Sequence, residues 1–549
     1  MCCPIASVES RGLIDLIYIV CRLRKKKKRL REKKMVVLMK LITETLCLLH
    51  PFSFKYFLLV AIFLILIYKW SFTSTPNSSP PSPRKLPVIG NLHQLGLYPH
   101  RSLRALAQRH GSLMMLHFGS MPVLVVSSAE AASEVMKTHD ITFSDRPKIT
   151  FFKKLLYDFK DVASAPYGEY WRQVKSICVL HLLSSKKVRS FRAVREEEAK
   201  SMINNIMKQS KSTTSSVFNL SDIFLTVTND VICRITVGTK YNDGREDRKM
   251  FKGLSVEFAE IMSRINIGDY VPWLSWLSRL NGLDAKQDDL AKRYDDFLET
   301  VVQEHMDGDH VKNEDEKDLV DVLLSLQKAN VLAIPIDLVC IKAITLDVFT
   351  AGTDTISTAL EWTMSELLRH PRVMKKLQNE VRGIVGNKTD LTEDDLVGMH
   401  YLKAVIKETL RLHPPLPLLM PRMSSQDVKI SGYDIKANTQ VIVNAWQIGR
   451  DPKSYNNPEE YEPERFLSND IDYKGTDYEL IPFGTGRRGC PGIQFAAAVK
   501  EIVLASLVHK FDWALPGGSR GEDLDMTESP GGTVHKKYPL KVVAIPYSC

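Results

Sequence analysis

The chain has 549 residues, 44% of them hydrophobic and 25% charged, a balance that suits a large buried core and excludes a disordered or fibrous protein. Its net charge of +10 is concentrated at one end: residues 1–34 hold eleven of the 74 basic and three of the 64 acidic residues, so the rest carries only +2 and gives no support to a nucleic-acid partner. Nine cysteines, odd in number, thinly spread and without a C-x-x-C pair, exclude a disulfide scaffold and a zinc spacing.

The first feature in chain order is the basic leader, residues 1–34. The apolar run Phe57–Tyr68 follows, bounded by Lys55 and Lys69. It is shorter than the roughly 20 residues that span a bilayer, but Leu46–Phe54 makes up the length if Lys55 snorkels. Residues 35–70 therefore read as a membrane anchor. A cleaved secretory signal is the alternative, against which no small-residue cleavage pattern follows Trp70. Residues 71–84, rich in Pro and Ser, read as a stiff hinge, and residues 85–549 as the catalytic body. Lys69, Arg84 and Lys85 place that body in the cytosol by the positive-inside rule, whereas Arg22–Lys34 argues for the reverse. Translation from Met35 or Met39, with the leader an extension of the gene model, reconciles the two. A cytosolic body carries no glycan at the sequons Asn77, Asn219 and Asn387.

Apolar periodicity predicts helices over 336–369 and 492–511, a hairpin over 113–128, and short strands near 427–443 and 539–546. The fold class is mainly α with a small β portion. In the first long helix, the poor helix formers of Ala351-Gly352-Thr353-Asp354-Thr355 cost about 2.5–3 kcal/mol relative to alanine. Either the helix ends near Gly352 and another starts at the capping box Thr358-x-x-Glu361, or something offsets the cost. Glu408 and Arg411 share one helical face just before His413-Pro414-Pro415, a spacing that is common on surfaces.

The most informative stretch is Pro482-Phe483-Gly484-Thr485-Gly486-Arg487-Arg488-Gly489-Cys490-Pro491-Gly492, which runs into a helical pattern with Ala497, Leu504, Val508 and Phe511 on one face. A cysteine at a helix N-terminus meets free N–H groups and the positive end of the macrodipole, which favour a metal-binding thiolate. The glycines let the backbone fold beneath a flat cofactor, and Arg488 can reach a carboxylate on it. Gly484-x-Gly-x-x-Gly489 also fits a dinucleotide fingerprint, but no buried strand precedes it. A structural turn with an inert cysteine is the remaining alternative.

Phe483-x-x-Gly486-x-Arg488-x-Cys490-x-Gly492 resembles the haem-binding signature of the cytochrome P-450 superfamily. The stretches PIDLVCIKAITLDVFTAGTDTISTALEW and LDMTES look most like the plant A-type group, family seventy-one. The resemblance implies a haem-thiolate fold behind a single N-terminal transmembrane helix, with haem b on the axial thiolate of Cys490. It implies O2 as oxidant, electrons from NADPH through NADPH–cytochrome P-450 reductase, and a place in the endoplasmic reticulum membrane. By the same resemblance Gly352 makes room over the iron, and Asp354 with Thr355 relays protons. Trp171, Lys175 and Arg422 join Arg488 near the haem propionates, and Glu408, Arg411 and Arg465 form a buried structural triad. Phe151, Phe152, Phe159, Leu416, Leu418 and Leu419 are candidate walls of a pocket for an apolar small molecule such as a terpenoid, indole or phenolic. An isomerase or dehydratase, or a non-catalytic haem sensor or carrier, are the rival functions.

Overall fold

The computed structural model describes Tyr56, residues 58–63, and residues 78–547 apart from 213–216, 240–245, 308–312, 314–315 and 331. The chain divides into two compact units, Met1–Thr75 and Pro76–Cys549. In the first, Tyr56 and residues 58–63 are helical, and the remainder of the expected leader and anchor lies outside the described residues. Among the described residues no helix is long and apolar enough to cross a membrane. In the second, the carbonyls of Ser78 and Pro81 accept from Asp434 N–H and Met115 N–H at 2.7 and 2.9 Å. The end of the Pro/Ser stretch, expected as a stiff hinge, is thus hydrogen-bonded to the body.

The longer helices of the second unit are α1 (Pro99–His110), α2 (Glu169–Ser176), α3 (Arg192–Ser212), α4 (Leu220–Val237), α5 (Glu246–Met262), α6 (Leu283–Asp307), α7 (Leu319–Ala329), α8 (Leu338–Arg369), α9 (Pro371–Val385), α10 (His400–Leu412) and α11 (Ile493–Lys510). The hairpin expected over 113–128 is β1 (Leu113–Phe118) and β2 (Met121–Val126), antiparallel from Leu113↔Val126. The later strands are β3 (Val217–Asn219), β4 (Arg422–Met423), β5 (Val428–Ile430), β6 (Tyr433–Ile435), β7 (Gln440–Val443), β8 (Phe511–Ala514) and β9 (Lys541–Pro546). They form sheets of order β1-β2-β7-β4, β3-β9-β8 and β5-β6.

Helix boundaries follow the capping chemistry of the sequence. Asp337 accepts from Cys340 N–H at 2.7 Å to start α8, and Pro371 opens α9 where a missing N–H costs nothing. The stretch around Gly352 does not break α8, which runs unbroken for 32 residues. Thr355 and Thr358 turn their hydroxyls back to the carbonyls of Ala351 and Asp354, each at 2.7 Å, so their polar groups are satisfied within the helix. Burial of most of its length from Cys340 to Leu368 offsets the propensity cost. Helix α11 also departs from expectation: residues 502–509 are all buried, so it is apolar all round and not on one face, and Phe511 already belongs to β8. These two buried helices lie in one core that also takes in α4 and α10.

Candidate active site

Helices α2, α4, α8 and α11, with the loops at 415–422 and 482–492, enclose one cavity. Its walls are mainly apolar, among them Ile232, Ile235, Val348, Ile356, Leu416 and Leu419. Cys490 opens onto it from the end of the glycine-rich loop. The backbone holds the cysteine from both sides: its N–H donates to Phe483 O at 3.0 Å, and its Sγ accepts from Gly492 N–H at 3.3 Å.

The loop packs without room for a side chain at Gly486. Gly486 has φ +71°, and a Cβ there would lie 2.5 Å from Met136 O and 2.7 Å from Asp140 Oδ1. Phe483 stacks obliquely on Tyr473, ring centres 5.4 Å apart, and Lys500 Nζ of α11 lies 5.0 Å from the Phe483 centre. Burial pushes the Cys490 thiol up, against the Gly492 N–H and the charges of Lys175 and Lys500 that pull it down.

Above the sulfur's side of the cavity stand three buried arginines. Arg422 pairs with Asp140 at 3.1 Å and donates to Thr485 O at 2.6 Å. Arg488 donates to Ser144 O at 2.7 Å and Ala165 O at 2.5 Å and lies 4.1 Å over the Trp171 ring. Arg146, which no sequence motif singled out, donates to the carbonyls of Ala163, Met420 and Pro421 at 2.9, 2.9 and 2.7 Å. No carboxylate comes within ion-pair distance of Arg146 or Arg488 among the described residues. Burial, then mutual repulsion, lowers the pKa of Arg146 well below its ordinary value, and burial brings Arg488 to about 10. Asp145 and Asp161 offset part of that cost from beyond ion-pair distance, and two buried cations with no carboxylate in direct contact beside a metal-seeking sulfur suit a flat, metal-centred group that carries two carboxylates. Haem fits that description.

The remaining candidates are placed as follows. Trp171 donates its Nε1–H to Val162 O at 3.0 Å, and Lys175 its Nζ to Gly489 O at 2.6 Å; both line the cavity, Lys175 clamping the cysteine loop. Thr355 and Gly352 line it too. A Cβ on Gly352 would collide with Ile232 Cδ1, so the missing side chain admits α4. Asp354 is not part of the lining; its carboxylate turns to His535.

Leu416 and Leu419 are in the wall, whereas Leu418 packs with β1 and β2 and Phe151, Phe152 and Phe159 with the helical core. Leu418 and the three phenylalanines are not among the residues that line this cavity. The Phe151 ring meets Phe258 at 5.1 Å, filling space between helices. Glu408, Arg411 and Arg465 do converge, away from the cavity. Arg411 makes a two-pronged pair with Glu408, both bonds 2.7 Å and both side chains fully buried, and Arg465 joins at 3.1 Å. Sequence reasoning also passed over Asp347, a cavity carboxyl that accepts from Val162 N–H at 2.7 Å. Burial and the neighbouring Asp161 push its pKa well up.

A family model described as Cytochrome P450 matches residues 80–543. Cytochrome P450 736A117 of Prunus mume is 66% identical over 514 residues, 92% of this chain and 98% of that one. Norfluorocurarine oxidase of a Strychnos species is 54% identical, covering 90% and 98%, and a 3-beta-hydroxylase of Tanacetum parthenium is 49% identical, covering 88% and 97%. A zebra fish cytochrome P450 solved with abiraterone superposes with a TM-score of 0.71 at 25% identity, covering 83% of this chain and all of that one.

Proposed function

The chain belongs to the cytochrome P450 family, whose members are haem-thiolate monooxygenases, and from that premise we propose that it oxidises an apolar plant specialised metabolite held above Cys490. The observation that carries the proposal is a single cavity with Cys490 Sγ on one wall and Thr355 of α8 on another. Cys490 would be the axial ligand, with Arg488, Arg422, Trp171 and Lys175 around the propionates. Arg146 joins them because it lines the same cavity with no carboxylate in direct contact. The haem, when bound, supplies the iron at which O2 is split and one of its atoms given to the substrate.

The protein's own groups do the rest. Ile232, Ile235, Val348, Ile356, Leu416 and Leu419 desolvate and orient an apolar molecule and keep bulk water from the reacting centre. Thr355 holds a proton at Oγ1 on the cavity wall, and Asp354, beside it on α8, offers the carboxylate that replenishes it. That acid–alcohol pair favours O2 chemistry over the isomerase or dehydratase reading. Glu408, Arg411 and Arg465 fix the segments around them and take no chemical part.

NADPH–cytochrome P-450 reductase is the proposed electron donor, and the endoplasmic reticulum membrane, with the body in the cytosol, the proposed place. Support for a membrane surface comes from the segment between Pro272 and Leu280, where Trp273, Trp276 and Leu280 are largely exposed. The test is spectroscopic. The reduced, carbon-monoxide-treated protein is expected to show the red-shifted Soret band of thiolate ligation, and Cys490→Ala to lose it. NADPH consumption with reductase present separates this reading from both rivals, and a band that survives Cys490→Ala would overturn it.

A further inference from the structure

The acid of the acid–alcohol pair has a partner that the functional reading does not use. Asp354 Oδ1 lies 3.2 Å from Nε2 of His535, in the segment that leads into β9. The other ring nitrogen, Nδ1, lies 2.7 Å from Thr358 Oγ1, one helical turn along α8 from Asp354.

The hydrogens in this arrangement can be counted. The Thr358 hydroxyl donates either to Asp354 O or to Nδ1, each at 2.7 Å, and in the first arrangement its oxygen accepts from Nδ1–H. A carboxylate oxygen has no hydrogen to give, so Nε2 must donate as well. A ring that donates from both nitrogens is an imidazolium. Burial alone would lower the pKa of this histidine, but the charge and hydrogen bond of Asp354, and the charge of Glu361, leave it raised.

The ring is held in place by its neighbours. Val534 N–H donates to Pro415 O at 2.9 Å, Trp362 Nε1–H to Val534 O at 2.8 Å, and Ser529 N–H to His535 O at 2.7 Å. The charged or titratable groups around it are Asp354 and Glu361 from α8 and Lys536 beside it in the chain, with Tyr294 of α6 facing Asp354. About a third of the His535 side chain, 34%, is accessible.

We propose that His535 is a positioning residue for proton delivery. Its imidazolium fixes Asp354 as a carboxylate turned out of the cavity, and recharges it. In the recharging step the Nε2–H bond breaks and an O–H bond forms on Asp354 Oδ1. Asp354 then swings to Thr355 to pass the proton on, and the freed Nε2 of the neutral ring regains a proton from water. This rests on the monooxygenase reading, because only a reaction that consumes protons along with electrons needs Asp354 replenished.

The test uses the full-length haem-loaded protein. Wild type, His535→Gln, Asp354→Asn and the double variant are compared by thermal unfolding across pH. Each single variant is expected to lower the melting temperature, and the double variant by less than the two together. Because the folded pKa of His535 is raised, its contribution is complete below its unfolded value of about 6.5 and is lost as pH rises through the folded value. The gap between wild type and His535→Gln should close on the alkaline side.

With reductase, NADPH-driven oxygen consumption by His535→Gln is expected to fall several-fold and to lose the alkaline limb of its pH profile, while the carbon-monoxide band stays intact. Additive melting effects, or an unchanged pH profile, would overturn the role of His535. Absence of the thiolate band in wild type would instead overturn the reading beneath it. If His535→Gln does not load haem, Thr358→Val, which removes the partner of Nδ1 together with a hydroxyl bond inside α8, should lower oxygen consumption in the same direction by a smaller factor, and no change there counts against the proposal.

Discussion

Two sets of buried arginines lie in this fold, and they differ in whether the protein completes them. Arg411 and Arg465 converge on Glu408, and the spare N–H groups of Arg411 reach the carbonyls of Gly449, Pro458 and Glu460 at 2.6, 2.6 and 2.9 Å. Arg146 and Arg488 have carbonyls of the same quality but no carboxylate in contact, Asp145 and Asp161 acting on them only from beyond ion-pair distance. A buried cation without a counter-ion is expensive, so the incomplete set points to an anion from outside the chain, while the complete set is internal framework.

The contrast breaks if the two sets respond alike to loss of charge. The largest effect is expected from Glu408→Gln, which leaves two buried guanidiniums facing a neutral amide and should cost about 3–5 kcal/mol in urea unfolding. Arg488→Leu should cost the fold less but weaken haem retention by about 10–100-fold, the loss of one charge-assisted bond, read as the rate of haem transfer to an acceptor protein. Reversal of that order would remove the distinction.

A smaller effect sharpens it through pH, at an ion cluster that is again complete within the chain. Burial would raise the Glu528 carboxyl, but bonds from His100 at 3.0 Å and Arg101 at 2.8 Å bring it down to about 2. A depressed carboxyl contributes stability above its unfolded pKa and loses it as pH falls through the folded one. Glu528→Gln should therefore flatten the decline in melting temperature between about pH 4.5 and 2.

What could be read from the sequence follows from how local each signal is. The cysteine loop was legible because its glycines, arginine and sulfur are contiguous and each has a reason to be there. Helix α8 was legible as a long apolar stripe, though not as unbroken, because its continuity depends on burial between other helices and not on its own propensities. Arg146 was invisible: Asp145-Arg146-Pro147 has no periodicity, and its acceptors come from Ala163, Met420 and Pro421, far along the chain. Phe151 and Phe152 were ambiguous for a different reason, since an aromatic side chain suits a core and a pocket wall equally. Leu418 and Leu419 are adjacent, yet the positive φ of Leu419, +52°, sends one to the sheet and the other to the cavity.

The notch at Gly352 has a consequence for how such a pocket can diversify. Because Ile232 of α4 fills the place a side chain would occupy on α8, the ceiling above the reacting centre is set by a residue on the opposite helix. Trimming or enlarging residue 232 alters the headroom offered to a guest and leaves the helix that carries Thr355 untouched. A side chain at residue 352 instead has to displace the tip of Ile232. Headroom at this point is thereby shared between α4 and α8, each able to take only what the other gives up.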